Sequence, residues 1–206
     1  MNLDWTAHIN KIAKKIGKGY GILTKLKFFL PQKVLVMLYN TLIQSRINYG
    51  LLLWGFAPAK IVTLQKKAIR AITLSKFHAH APLLFEHLGI LNLDDTVTLC
   101  CLKFYYNQKN GHVPAYFSTN FTYADATDRP RTKGASQCLR IHLYKNVLPN
   151  CSQNILDKVS THSYDGFSNY IKKMFLEKYT ACSLGPQICF PCRESSTRQN
   201  RYVRPV

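Results

Sequence analysis

The run Trp5-Thr6-Ala7-His8-Ile9-Asn10-Lys11-Ile12-Ala13-Lys14-Lys15-Ile16-Gly17-Lys18-Gly19-Tyr20-Gly21-Ile22-Leu23 decides the fold class. Its residues Trp5, Ile9, Ile12, Ile16, Tyr20 and Leu23 return every three or four positions, which draws one apolar stripe along an α-helix. Lys11, Lys14, Lys15, Lys18 and, further on, Lys25 mostly fall off that stripe, so the outer side becomes a ladder of cations. Gly17, Gly19 and Gly21 each weaken such a helix by ~1 kcal/mol relative to Ala. They suit a bend or a close helix crossing.

Two further helices follow by the same reading. Pro31 fits the first turn of the second, where its missing N–H costs nothing, and Val34, Leu35, Leu38, Leu42 and Ile43 supply a buried face. The residues from Arg46 to Gly50 end it, and Leu51 to Phe56 reads as a buried turn or short extended piece. A third helix begins after Pro58, with Ile61, Leu64, Ala68, Ile69 and Ile72 inward and Lys60, Lys66, Lys67 and Arg70 outward. The expected fold is mainly α: a basic helical bundle over 1–75, then a helical extension over 76–180.

Within that extension the pattern predicts a short helix from Leu83 to Leu88 stopped by Gly89, and another opened by Asp94 or Asp95 and closed by Gly111 and Pro114. Residues 118–135 lack helical periodicity and read as a loop, with short strands around Cys138 to Leu143 forming a small irregular or mixed element. A last helix is expected from Tyr164 to Tyr179, and 181–206 as a poorly ordered tail.

Charge narrows the function classes. The chain of 206 residues carries 28 Lys and Arg against 10 Asp and Glu, a net charge of +18. Residues 1–80 hold 13 of the basic residues and one acid, Asp4. Ordinary surfaces mix both signs, so a polyanion is the expected partner, with nucleic acid first and an anionic membrane surface second. No apolar run approaches the roughly 18–20 residues that span a bilayer, and no apolar leader opens the sequence. Seven Cys, an odd number, with Cys100 and Cys101 adjacent, fit reduced thiols and an intracellular protein.

Several segments, taken in order, resemble one family. Leu3-Asp4-Trp5-Thr6-Ala7-His8-Ile9 is similar to the segment that follows the palm in non-LTR (LINE-type, jockey-like) retrotransposon reverse transcriptases. Gly21 to Pro31 resembles the first thumb helix and its exit. Leu38-Tyr39-Asn40-Thr41-Leu42-Ile43, Asn48-Tyr49-Gly50 and Trp54-Gly55 look like the middle of the thumb. Leu64-Gln65-Lys66-Lys67-Ala68-Ile69-Arg70 is similar to the next helix. Pro82 to Phe85, Leu88 to Leu93 and Val113 to Phe117 continue the match, and Arg129 to Thr132 echoes a further stretch. The resemblance is good over 2–117, weaker to 179 and absent beyond.

What the resemblance implies is a fragment: thumb and C-terminal region, with the palm that holds the Mg²⁺-binding aspartates of an RNA-directed DNA polymerase absent. Tyr123-Ala124-Asp125-Ala126 imitates the palm's metal turn, but Ala126 stands where the second carboxylate belongs and the string follows the thumb instead of preceding it. No catalytic residue and no cofactor are therefore expected, and no enzymatic activity for the chain alone. A thumb grips the sugar–phosphate backbone of template–primer, which needs cations without base-reading geometry. Lys11, Lys14, Lys15, Lys18, Lys25, Lys27, Lys66, Lys67 and Arg70 are the expected contacts, with RNA, DNA or an RNA–DNA hybrid as partner. The missing palm is a second candidate partner, and no membrane role is expected. Tyr39, Tyr49 and Trp54 are available to stack on a strand, although their apolar surroundings favour core packing.

The remaining motifs are weaker. Cys189-Phe190-Pro191-Cys192 with Cys182 suggests a zinc site, but the spacing fits no knuckle and no His follows; free tail thiols are the expectation. His78, His80 and His87 lack a carboxylate or Cys at ligand spacing. The competing reading is a degenerate transposable-element product or a helical module that binds protein, marked by an exposed apolar patch over Leu51 to Phe56. The resemblance implies a protein of cytoplasm and nucleus.

Overall fold

The structure, a computed structural model, describes residues 5–54, 59–76, 79–114, 155, 158 and 162–180. Among these every regular element is helical, as the sequence pattern requires: the fold is mainly α. The order is α1 (Thr6–Leu26), α2 (Gln32–Tyr39), a π-helical segment (Asn40–Gln44), α3 (Ser45–Asn48), α4 (Leu51–Trp54), α5 (Ala59–Ile72), α6 (Ala81–His87), α7 (Leu93–Lys109) and α8 (Tyr164–Thr180). Residues 118–135, 138–143 and the 181–206 tail lie outside the described residues.

Two compact units emerge. Among the described residues the first comprises 6–49, 59–76, 79–93 and 174–180; the second comprises 5, 50–54, 94–114, 155, 158 and 162–173. In the first, α1 packs most extensively against α5, and also against α2, α3 and the π segment. Ile12, Ile16 and Leu23 of α1, Leu35, Tyr39, Ile43 and Ile47 of the α2–α3 rod, and Ile61, Ala68, Ile69 and Ile72 of α5 are all buried.

The π segment answers a sequence problem. Buried residues Leu35, Tyr39, Ile43 and Ile47 are spaced strictly by four. In an α-helix, with 3.6 residues per turn, each step of four overshoots by about 40°, so three steps would carry Ile47 away from the core. A π turn, closed by i→i+5 bonds such as the Ser45 N–H to the Asn40 carbonyl, takes up more residues and turns the face back. The buried face therefore runs through Tyr39 and Ile47, while Leu38 and Leu42 are half-buried and Val34 is exposed.

One buried polar side chain ties this unit together. Gln65 of α5 donates from Nε2 to the Tyr39 phenol oxygen and to the Leu91 carbonyl, both at 3.0 Å. The Tyr39 hydroxyl donates onward to Gln44 Oε1 at 2.9 Å, and Gln44 Nε2 donates to Asn48 Oδ1 at 2.9 Å. Tyr179 of α8 closes the far edge: its ring lies 6.3 Å from that of Phe85, and its hydroxyl accepts the Asn92 N–H at 3.1 Å.

Gly50, at φ 64°, breaks the rod and starts α4, a single helical turn where the sequence suggests a turn or extended piece. Helix spacing lets Leu51 and Trp54, three apart, both point inward. Gly89, at φ 63°, ends α6, with the Ile90 N–H returning to the Phe85 carbonyl at 2.9 Å. Asp94 and Asp95 occupy the first turn of α7, where carboxylates complement the helix dipole. In the second unit Tyr106 joins α7 to the start of α8. Its hydroxyl donates to the His162 carbonyl at 2.7 Å, and its ring stacks on Phe167 at 5.2 Å.

The three glycines of α1 separate cleanly. A Cβ at Gly19 would lie 3.2 Å from Ile43 Cγ1 and 3.3 Å from Leu42 Cβ, whereas at Gly17 and Gly21 it would meet nothing within 4 Å. Gly17→Ala and Gly21→Ala should each stabilise the protein by about 0.5–1 kcal/mol through helix propensity. Gly19→Ala should instead destabilise it by about 1 kcal/mol, overpacking outweighing propensity. Chemical denaturation of the three variants checks the sign of each.

Candidate nucleic-acid interface

The side of α1 turned away from Ile12, Ile16 and Leu23 carries Lys11, Lys14, Lys15, Lys18 and Lys25, all exposed. Lys11, Lys18 and Lys25 follow one another at seven residues, with Lys14 between the first two at three and four, so these four share a face; Lys15 flanks it. From Lys11 to Lys25 the helix advances ~21 Å, a length that matches roughly six nucleotide rises of one strand. The sequence places no Asp or Glu anywhere in residues 5–85. Cations on this face are thus set on a fixed scaffold with no acidic residue in the same segment.

The other expected contacts divide. Lys66 and Lys67 of α5 are half-buried. Lys60, also on α5, is exposed and donates from Nζ to Asn10 Oδ1 of α1 at 3.2 Å, joining the N-terminal ends of the two basic helices. Lys27 is half-buried, its ammonium 4.8 Å from the centre of the Phe28 ring. Arg70 belongs to the scaffold, since its Nε and Nη2 donate to the Ala79 carbonyl at 3.3 and 3.2 Å and draw in the chain that follows α5. Burial lowers its pKa from the ordinary guanidinium value, without approaching deprotonation at neutral pH.

Of the three aromatics considered for stacking, Tyr39 and Trp54 are buried, and burial pushes the Tyr39 phenol far above its usual pKa. Tyr49 is 74% exposed. Two residues that the periodicity of the sequence does not single out are more prominent: Phe28, 69% exposed, and Phe29, 81% exposed, in the turn after α1. Their signal in the sequence is a pair of aromatics just past the end of the apolar stripe, between Lys25, Lys27 and Lys33.

Among the described residues no three His, Cys, Asp or Glu side chains gather into a metal-holding group, and no helix is long and apolar enough to cross a membrane. His80 is half-buried at the start of α6 and His87 is exposed. His78, Cys182, Cys189, Cys192 and the 123–126 string lie outside the described residues. Of the apolar segment 51–56, Leu51 and Trp54 are buried and Leu53 is exposed, while residues 55 and 56 are not among those described. Comparison with family models, curated proteins and solved structures gives no match.

Cys100 and Cys101 are free thiols whose pKa burial raises, that of Cys101 to about 12. At pH 8 both stay protonated, so iodoacetamide should leave Cys101 unmodified in the native protein and alkylate it in denaturant, as peptide mass mapping would read. Arg70→Ala should cost about 1–2 kcal/mol, losing charge-assisted hydrogen bonds and packing. Lys11→Ala, Lys14→Ala and Lys18→Ala should each fall within about 0.5 kcal/mol of the parent. Urea unfolding midpoints distinguish the scaffold arginine from the peripheral lysines.

Proposed function

We propose that this chain binds the sugar–phosphate backbone of nucleic acid along the outer face of α1, as the thumb-like part of a retrotransposon reverse transcriptase. The observation that carries the reading is the exposed line Lys11, Lys14, Lys18 and Lys25 on one face of a packed helix, in a segment with no acidic residue from 5 to 85. Backbone recognition asks for cations at a regular rise and nothing more. Lys15 flanks the line, and Lys60 extends the basic surface onto α5 through Asn10. The ordered resemblance of segments between residues 2 and 117 to the thumb of that family supports the same reading. The polymerase's Mg²⁺-binding aspartates have no counterpart in the segments that resemble the thumb, so on this reading the chain's part is to hold template–primer. The second reading, a protein-docking patch over residues 51–56, is weakened by the burial of Leu51 and Trp54.

The test is fluorescence anisotropy on a blunt RNA–DNA hybrid across a salt series. Each phosphate contact contributes a slope of about −0.9 in log K against log salt. Micromolar or tighter binding at low salt is expected, with a slope that shrinks by about 2–3 when Lys11, Lys14 and Lys18 are all changed to Ala. A folded monomer that fails to bind at low salt, or a triple variant with the parent slope, would refute the assignment.

A further inference from the structure

The turn between α1 and α2 presents its aromatics on a closed frame. The Phe29 and Leu30 N–H groups both return to the Leu26 carbonyl, at 3.0 and 3.1 Å. On the other side the Val34 and Leu35 N–H groups return to the Pro31 carbonyl, at 3.0 and 3.2 Å. Both ends are thus anchored in helices, and Phe28 and Phe29 stand out from the turn between them. Exposing the phenyl rings of two consecutive residues forgoes burial that the fold could have used. Lys25 and Lys33 are exposed on either side, and Lys27 lies over the Phe28 ring.

We infer that this turn is a stacking tip for unpaired bases at a single-strand junction: Phe29 and Phe28 take the faces of bases, while Lys25, Lys27 and Lys33 hold the adjoining phosphates. The inference rests on the backbone-binding reading above and extends it, because the tip lies just beyond the lysine line of α1. Rings interleaved with cations are what single-strand binding requires, since every base offers a π-face and every nucleotide a negative charge. The charges around the rings disfavour two other occupants. A lipid surface would have to accept the Lys27 ammonium at the depth of the Phe28 ring, where it loses hydration without a partner. A second copy docked tip to tip would bring three further cations against Lys25, Lys27 and Lys33, with no acidic residue in residues 5–85 to offset them.

Anisotropy with the full chain at one low salt concentration tests this with three probes. They are the blunt RNA–DNA hybrid, the same hybrid with a short single-stranded overhang, and that overhang made abasic. The overhang should tighten binding roughly tenfold over the blunt hybrid, in line with the range for one stacked base, and the abasic overhang should lose most of that gain. Phe29→Ala and Phe29→Leu should both remove the gain and leave blunt-hybrid affinity unchanged; Phe29→Trp should keep it and show quenched Trp emission on binding. Because Leu preserves apolarity and only discards the aromatic face, a Phe29→Leu variant that binds the overhang like the parent overturns the stacking tip. An abasic overhang that binds as well as the base-bearing one also overturns it. In a parallel co-sedimentation assay with phosphatidylserine vesicles, a Phe29→Leu substitution that impairs vesicle binding while overhang binding stays intact overturns it as well. Loss of binding to the blunt hybrid itself overturns the backbone reading and the tip together, which separates the two failures.

Discussion

Gln65 ties α5 to two other parts of its unit by directed hydrogen bonds. Its side-chain amide is fully buried, with both N–H bonds committed, one to Tyr39 on α2 and one to the Leu91 carbonyl. Apolar contacts tolerate small rotations of a helix, whereas two directed bonds from one amide do not. Its carbonyl Oε1 has no hydrogen-bond partner among the described residues, a cost the core accepts in return for this directionality. Rotation of α5 would strain both bonds and carry Lys60 and Lys67 away from their present side, so this polar contact joins the apolar core in fixing where those cations stand.

The same division of roles runs along α1. One side is fixed by Ile12, Ile16, Leu23 and the close approach at Gly19; the other is left to lysines that the core neither needs nor restrains. Like charges on a compact surface repel, and this unit meets the repulsion with apolar packing on the opposite side of the same helix. Arg70 marks the boundary between the roles: it belongs to the basic helix α5 by sequence, yet its guanidinium is bound to a carbonyl nine residues away.

How much of this is legible in the sequence depends on what each residue answers to. The α1 stripe is readable because periodicity alone decides it, and Ile12, Ile16 and Leu23 are buried as the spacing requires, with Ile9 and Tyr20 half-buried. The α1 glycines are conspicuous, but which one serves a crossing depends on Leu42 and Ile43, and nothing local to α1 says that they lie opposite Gly19. The inward face of the α2–α3 rod is legible only in part, since an unbroken α-helical wheel does not return Ile47 to the side of Leu35 and Tyr39 as the π turn does. Gln65 looks like a surface residue among lysines, and its burial follows only from partners 26 residues away in either direction. Phe28 and Phe29 escape a sequence reading because an aromatic pair is ordinarily core, and exposure is a property of what the chain leaves uncovered. For the candidate site, the exposed lysines of α1 are legible; the structural use of Arg70 and the link from Lys60 to Asn10 are not.

The π turn between α2 and α3 also bears on chain length. Removing one exposed residue between Tyr39 and Ile43, either Asn40 or Thr41, changes the buried spacing from four-four-four to four-three-four, which an ordinary α-helix satisfies without drift. The wide turn is thus the mark of a one-residue surplus held within a helix. Relatives shorter by one residue at this point would carry the same buried face on an unbroken α-helix, and an alignment gap there would signal no change of fold.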